Sequence, residues 1–415
     1  MPQTEPVIDS KSHVEYIKNN TKGNIIDVHT SASITKNMEG NDLVEMHDMN
    51  SVNCRTFTDD KKSLQRNEVM KLALLYSKDL DGLIMNYPND KSIFNNGKMN
   101  EGITSTNMGL SGISNISEEI MVDRDINLAK YTEGNLHLSY ISTKESVSKI
   151  KRGKKEGANI TADVSINNLV MTDEKVKTFD TRYKVLPPLR TKKDNSALIK
   201  ALKDGTIDVI CSDHSPEDEE NKRTEFDNAA FGILGLETLF GLLGKHISSD
   251  LSLSEIIEKI STNPRRIALK QNIKIEEGKK ANITLFNPMK EWEATNSDIK
   301  SKSRNTPFIG EKLKGKALSF LKSSTTRPLK DSVKESIFNI LNHSNLLDIN
   351  LKNSNILDLY SGIGSFGLEC ISRGAEKITF VENLPRGDSN SGSCGGIIVG
   401  VINGGCSSSY FIFAS

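Results

Sequence analysis

The sequence predicts an α/β fold: an incomplete parallel (β/α) barrel, a small β appendage, and then a second, partial α/β unit. Three observations carry this. From about residue 7 to 270, short apolar runs alternate with longer stretches whose apolar residues recur every three or four positions. Such alternation of strand and helix implies a parallel sheet. After about residue 275 the text changes to short strand-like runs, "IEEGKKANITLFNPMKEWEA". From Asn355 to Glu382 an apolar strand, a glycine-rich turn, a helix and a second strand follow one another.

The strands of the first region read as "GNIIDVHT", "GLIMNY", "LHLSYIS", "NITADVS" and "DVICSDH". Between them lie "KSHVEYIKN", "RNEVMKLALLYSKD", "KESVSKIKRGKKEG" and "NSALIKALKDG", with helical apolar spacing and, in several, a glycine at the C-cap side. This many repeats favour a barrel over an open sheet. "TTRPLKDSVKESIFNILN" (Thr325–Asn342) starts a further helix. From Leu384 the chain is rich in Gly and Ser and has no helical period, so 384–415 reads as an unstructured or out-of-frame tail. The domains are thus 1–275, 276–317, 318–383 and 384–415.

Bulk properties exclude several functions. Lys+Arg and Asp+Glu both total 54 in 415 residues, a balance without general attraction to nucleic acid or anionic membrane. No stretch has the apolar length of a membrane span. The start, "MPQTEPVIDSKSHVEYIKNN", lacks a signal-peptide layout. Five cysteines without CxxC spacing read as free thiols of a cytoplasmic protein.

Many motifs in residues 1 to about 317 resemble those of the dihydroorotase group of the amidohydrolase superfamily. "MPQTEPVID" is similar to MPNTxPVID, "TFTDDKKSLQ" to FSDDGxxxQ, and "NNGKMNEG" to GxMNEG. "LHLSYISTKESV" is similar to HxxHVSTxESV and "ITADVSINNLVMTDE" to VTAEVTPHHLLLTDE. "VLPPLRTKKD", "DGTIDVICSDHSP" and "AAFGILGLET" are similar to NPPLRxxxD, DGTIDxIATDHAP and PFGxxGxET. The resemblance implies a TIM-type barrel and zinc held by imidazoles and carboxylates at strand ends, with an Asp as proton carrier.

This sequence departs from that pattern at the ligands. The histidine positions fall on Tyr87, Tyr140, Asn167, Asn168 and Glu217, and no His-x-His pair occurs in the chain. The substrate asparagines fall on Gln3 and Leu186. What remains is Asp213, a vestigial catalytic carboxylate, with Asp59 and Asp60 as vestigial metal positions, and Gln3 and Arg190 as weak candidates for substrate contact. His137 and His214 read as structural, and Asp59 and Asp60 as solvated or paired with Lys61 and Lys62. Phenol and amide side chains are poor zinc ligands at neutral pH, so bound zinc is not expected. The resemblance leaves two readings: a non-catalytic scaffold, which in such families partners aspartate carbamoyltransferase, or an active cyclic-amide hydrolase of dihydroorotase or allantoinase type. The lost imidazoles favour the first. The family's first strand would lie before Met1, so a barrel lacking that strand is expected.

"LDLYSGIGSFGLE" holds Gly362-x-Gly364-x-x-Gly367 directly after a strand, where glycines let a ligand approach a helix N-terminus. Residues from about 310 to 383 resemble the N-terminal part of the family that methylates a guanine amine of small-subunit ribosomal RNA. The resemblance implies a Rossmann-like unit in which Asp358, Gly362, Gly364 and Glu382 contact S-adenosylmethionine and Arg327 lies near the active face. The family's Asp/Asn-Pro-Pro-Tyr motif is absent, so weak cofactor binding is expected, and rRNA is a partner only of a complete enzyme. "FIGEKLKGKALSF" (Phe308–Phe320) serves as the last strand of one resemblance and the first of the other. This implies a chimera.

Overall fold

The computed structural model describes residues 2–24, 26–272, 284, 286–317, 331–343, 350–359, 365–383, 397–403 and 412–414. The chain divides into two compact units, Met1–Asn282 with Glu291–Lys314, and Ile283–Lys290 with Gly315–Ser415. Residues 291–314 group with the first unit in this division.

The first unit is built on five parallel strands in chain order: β1 (Thr56–Phe57), β2 (Leu83–Asn86), β3 (Leu136–Leu138), β4 (Ile160–Ser165) and β5 (Val209–Cys211). A parallel bridge from Ala32 to Phe57 adds a sixth position beside β1. All five strands are mostly buried, as expected of strands covered on both faces. An eight-stranded barrel needs two further positions, and among the described residues no strand joins the Ala32 edge to β5. The described sheet therefore stops two positions short of closure rather than one. The strand expected in "GNIIDVHT" is not formed: its described residues are irregular, and Ile26 and Val28 are exposed. Without a burying surface these apolar residues have no drive to pair.

The four predicted helices form, the first as Lys11–Thr21, and a helix the sequence reading did not single out adds to them at Ile116–Thr132. Helix α1 (Asn67–Asp79) buries Val69, Met70, Ala73, Leu74 and Ser77. Helix α2 (Ile116–Thr132) buries Met121, Val122, Asp125, Ile126 and Ala129. Both are stripes at helical spacing. Helix α3 (Lys144–Lys155) starts at Thr143, whose hydroxyl accepts from Ser146 N, and ends among Arg152, Lys154 and Lys155, which suits the helix dipole. Helix α4 (Lys192–Lys203) starts with a capping box of Thr191 and Asp194. Gly205 after it takes φ +77°, a left-handed turn that glycine makes without strain. The lone tryptophan, Trp292, packs against the large core of this unit.

Two buried lysines tie the segment 219–231 to the chain before β5. Lys184 Nζ donates to the carbonyls of Phe226 (2.7 Å) and Asp227 (3.0 Å), between the rings of Phe226 and Phe231. Lys222 Nζ donates to the carbonyls of Ala230 (2.7 Å) and Lys184 (3.3 Å). Burial pushes both ammonium groups down to about 8.

The second unit has a four-stranded sheet, ordered Asn355–Leu359, Lys377–Asn383, Ile397–Asn403, Ile412–Ala414. The first pair is parallel and joined through the helix Ser365–Ser372; the later pairs are antiparallel. Its core gathers Phe338, Leu351, Cys370, Ala375 and Ile378, with Phe338 stacked on Phe366 at 5.2 Å. The expectation of no structure across 384–415 does not hold for 397–403 and 412–414. The run "IIVGVIN" supplies a β-branched strand that pairs along the whole of Lys377–Asn383.

The lysine pair gives a pH prediction. Because the folded state releases these protons near pH 8 and the unfolded chain only near 10.5, the unfolded state binds more protons between those values. Stability therefore rises with pH through that window. The denaturation midpoint of the wild type, read by Trp292 fluorescence, is expected to rise from pH 8 to 10 relative to a Lys184→Met/Lys222→Met variant.

Candidate functional site

The parallel register places every strand's carboxyl end on one side of the sheet, the side on which barrel enzymes assemble their sites. Beyond β1 come Thr58, Asp59, Asp60 and Lys61; beyond β2, Tyr87; beyond β3, Tyr140; beyond β4, Asn167 and Asn168; beyond β5, Asp213. Asp60, Tyr140 and Asp213 have φ of +52°, +59° and +48°. Non-glycine residues pay about 1 kcal/mol or more for this left-handed backbone. These three strand-end residues carry that cost at the site.

The centre of this constellation is an ion pair. Lys61 Nζ lies 2.6 Å from Asp213 Oδ1, with the carboxylate almost fully buried and the lysine side chain 19% exposed. The same ammonium sits 5.1 Å from the centroid of the Tyr140 ring, a cation–π contact. Tyr87 meets Tyr140 edge-on at 6.2 Å. Ser165 Oγ donates to Asp213 Oδ2 at 3.4 Å. Burial drives the Asp213 carboxyl above the usual carboxylate range, and Lys61 opposes that rise. Asp60 is raised by burial too, against Lys61. The Tyr140 and Tyr87 phenols are pushed up by burial first and by neighbouring carboxylates second, Asp213 foremost for Tyr140 and Glu118 for Tyr87.

The remaining expected residues fall into supporting places. Asp59 is buried and accepts from Ile34 N (2.8 Å), Thr35 N (3.1 Å) and Thr35 Oγ1 (2.5 Å). Burial still raises its carboxyl against those bonds. Asp59 is therefore neither solvated nor paired with a lysine among these contacts; it ties β1 to the Ile34 segment. His137 bridges Thr161 Oγ1 (2.8 Å) and Asp163 Oδ2 (2.9 Å), and Asp163 also accepts from Tyr140 N (2.7 Å). His214 Nδ1 accepts from Gly235 N and Leu236 N. Both rings are held in place by these contacts. Arg190 is buried; its Nε donates to Ser142 Oγ (3.1 Å), and its Nη1 donates to Asn100 Oδ1 (3.0 Å) and the Ile113 carbonyl (2.7 Å). Rather than facing a ligand with these donors, Arg190 ties the segment 99–113 to the strand ends. Gln3 is exposed on the surface. Glu217 is half-buried and receives Asn221 Nδ2 at 3.5 Å.

The residue that sequence reasoning missed is Lys61. Its signal was present: a lysine follows the Asp pair where the resembled motif FSDDG has glycine. Only the fold shows that this lysine turns toward Asp213.

A zinc site of the kind the resemblance implies needs about four ligands, mostly nitrogen, around one point. The groups around Asp213 are phenols, amides, an ammonium, the carboxylates of Asp60 and Asp163 and the Cys211 thiol, with no imidazole at the positions the resemblance assigns to ligands. Among the described residues no group of three or more His, Cys, Asp or Glu side chains could hold a metal ion. The donor set does not fit zinc.

In the second unit, Asp358 is buried at the end of its strand, and its Oδ2 accepts from Gly367 N at 3.0 Å. Glu382 lies in the neighbouring strand, opposite Ile398. Gly362, Gly364 and Arg327 lie outside the described residues.

Comparison with known proteins agrees with this architecture. Residues 1–146 match the family "Dihydro-orotase-like" and residues 102–318 the "Amidohydrolase family". Dihydroorotase from Caldanaerobacter subterraneus subsp. tengcongensis is 40% identical over 319 residues, covering 76% of this chain and 74% of that protein. Dihydroorotase from Acetivibrio thermocellus is 39% identical over 318 residues, covering 76% and 75%. L-Hydantoinase (dihydropyrimidinase) from Arthrobacter aurescens shares the fold with a TM-score of 0.65 at 18% identity, over 76% of this chain and 73% of that one. A D-hydantoinase gives 0.63 at 18% identity, over 74% and 71%. These are amidohydrolases of TIM-barrel type. The chain belongs to the amidohydrolase family and, within it, to the family of the dihydroorotases. Residues 307–387 match a second family, "Conserved hypothetical protein 95", the family of the methyltransferase resemblance. The two matched regions overlap across 307–318. No helix among the described residues is long and apolar enough to cross a membrane.

One close approach at the site is directly testable. A Cβ on Gly235 would meet the Ser212 carbonyl oxygen at 2.1 Å, beside Asp213. Gly235→Ala must therefore displace backbone, and is expected to destabilise the first unit by about 1–3 kcal/mol in urea unfolding followed by Trp292 fluorescence.

Proposed function

We propose that the first unit is a dihydroorotase homologue that does not hydrolyse the dihydroorotate ring and works as a protein scaffold of pyrimidine biosynthesis, with aspartate carbamoyltransferase as its partner. The observation that carries the reading is the Lys61–Asp213 ion pair at the meeting point of the strand ends. Hydrolysis of a cyclic amide in this family draws on a metal-activated water, and zinc requires basic nitrogen donors there. Tyr87, Tyr140, Asn167 and Asn168 offer none. A second reading, an active cyclic-amide hydrolase of dihydroorotase or allantoinase type, is favoured by the 40% identity with a protein named dihydroorotase.

The test is metal content and turnover of the purified full chain after incubation with zinc. The expected result is sub-stoichiometric zinc and no conversion of dihydroorotate above a chain-free blank. Stoichiometric tightly held zinc with turnover overturns the proposal in favour of the second reading. For the partnership, co-purification with the aspartate carbamoyltransferase of the same cell is expected, and repeated failure to recover that enzyme counts against it.

We infer for the second unit a methyltransferase-like half without methyl transfer. Its strand–helix–strand unit has Asp358 bound to the helix start, but the Pro-Pro-Tyr motif that positions a target amine is missing from the chain. Titration with S-adenosylmethionine is expected to show no binding at micromolar concentration. The overlap of the two family matches at 307–318 supports reading the chain as a chimera of two genes that share a short word. A single long DNA read across codons 308–320 and 383–390 is expected to separate two genes there; one uninterrupted frame counts against it.

A further inference from the structure

We infer that the Lys61 ammonium is the resident cation of the strand-end site, standing in for a metal ion as the charge that holds Asp213 and Tyr140 in place. This deepens the non-hydrolysing reading and rests on it. Three observations lead here. First, Lys61 is the cation in contact with Asp213, at 2.6 Å, and lies over the ring of Tyr140, so one ammonium bridges the ends of β1, β3 and β5. Second, Asp60, Tyr140 and Asp213 keep left-handed backbones, which persist only when surrounding contacts over-determine them. The ion pair is such a contact. Third, the buried Asp60 Oδ1 beside it has no hydrogen-bond partner among the described residues, and Asp60 is raised by burial against Lys61. An oxygen- and amide-lined pocket of this kind needs a positive charge at its centre to keep a buried carboxylate there. The position of Lys61 is glycine in the resembled motif, which carries no side chain there. With lysine, the chain places its own charge at the site.

The experiment compares Lys61→Met, Lys61→Arg, Asp213→Asn and the Lys61→Met/Asp213→Asn double variant in the full chain. Thermal unfolding is read by the fluorescence of Trp292, which reports the first unit. Lys61→Met leaves a buried carboxylate uncompensated, so its midpoint is expected to fall by on the order of 10 °C. Lys61→Arg, which keeps the charge, is expected to lose less. The double variant, with neither charge, is expected to be more stable than Lys61→Met alone. A Lys61→Met variant that fails to fold while Lys61→Arg and the double variant fold supports the inference equally. An unchanged midpoint for Lys61→Met overturns it. So does a double variant whose loss equals the sum of the two single losses, or failure of Lys61→Arg and the double variant to fold, since shape rather than charge would then be what the site needs. Turnover of dihydroorotate by the wild type is measured alongside. Turnover sinks the non-hydrolysing reading whatever the midpoints show, whereas no turnover with a neutral Lys61→Met sinks only the role given to Lys61.

Discussion

A single buried ion pair organises the mouth of this barrel. Lys61 and Asp213 come from opposite ends of the described sheet, one beyond β1 and the other beyond β5, and meet at 2.6 Å. Their gross attraction is about 6 kcal/mol at an effective dielectric of about 20. Desolvation of each ion offsets it by several kcal/mol. The pair is therefore weak as a source of net stability but strong as a constraint, because removing either partner strands the other. Around it, Tyr140 offers its ring to the ammonium and Tyr87 packs edge-on against Tyr140. The two tyrosines at the site are thus engaged with the cation and with each other.

A second polar web, equally buried, fixes the segment 99–113. Arg190 reaches Asn100, the Ile113 carbonyl and Ser142. Asn100 in turn donates to Asp173 at 3.1 Å. Glu118 receives Ser142 N, Ser142 Oγ, Thr143 N and Thr143 Oγ1. Buried charges survive only when hydrogen-bonded and compensated, and here the guanidinium and the Glu118 carboxylate share Ser142 as a neutral intermediary. This web stands apart from the Lys61–Asp213 pair and fixes the frame around the strand ends.

The second unit shows how far a glycine turn carries an argument. A carboxylate at the end of its strand accepts the amide of Gly367 in the helix Ser365–Ser372. Cofactor chemistry needs more: a ribose-binding partner, a closed pocket, and a motif that holds the target amine. The antiparallel partner Ile397–Asn403 beside Lys377–Asn383 gives this sheet a different neighbour from the parallel strand that a doubly wound fold would place there.

The amino-acid sequence alone determined the repeating strand–helix order, the helix end at Gly205, and the identity of the strand-end residues, because periodicity, capping and residue type are local. Its resemblance to the dihydroorotases also places Tyr87, Tyr140, Asn167 and Asn168 at positions where that family has histidines. It misjudged "GNIIDVHT" as a strand and "IIVGVIN" as part of an unstructured tail, since an apolar run becomes a strand only where a neighbour can pair with it. The direction of Lys61, the bridging role of Arg190 and the burial of Asp59 were decided by tertiary structure. Each depends on side chains brought together from distant parts of the chain, and no local pattern encodes which carboxylate an ammonium will meet.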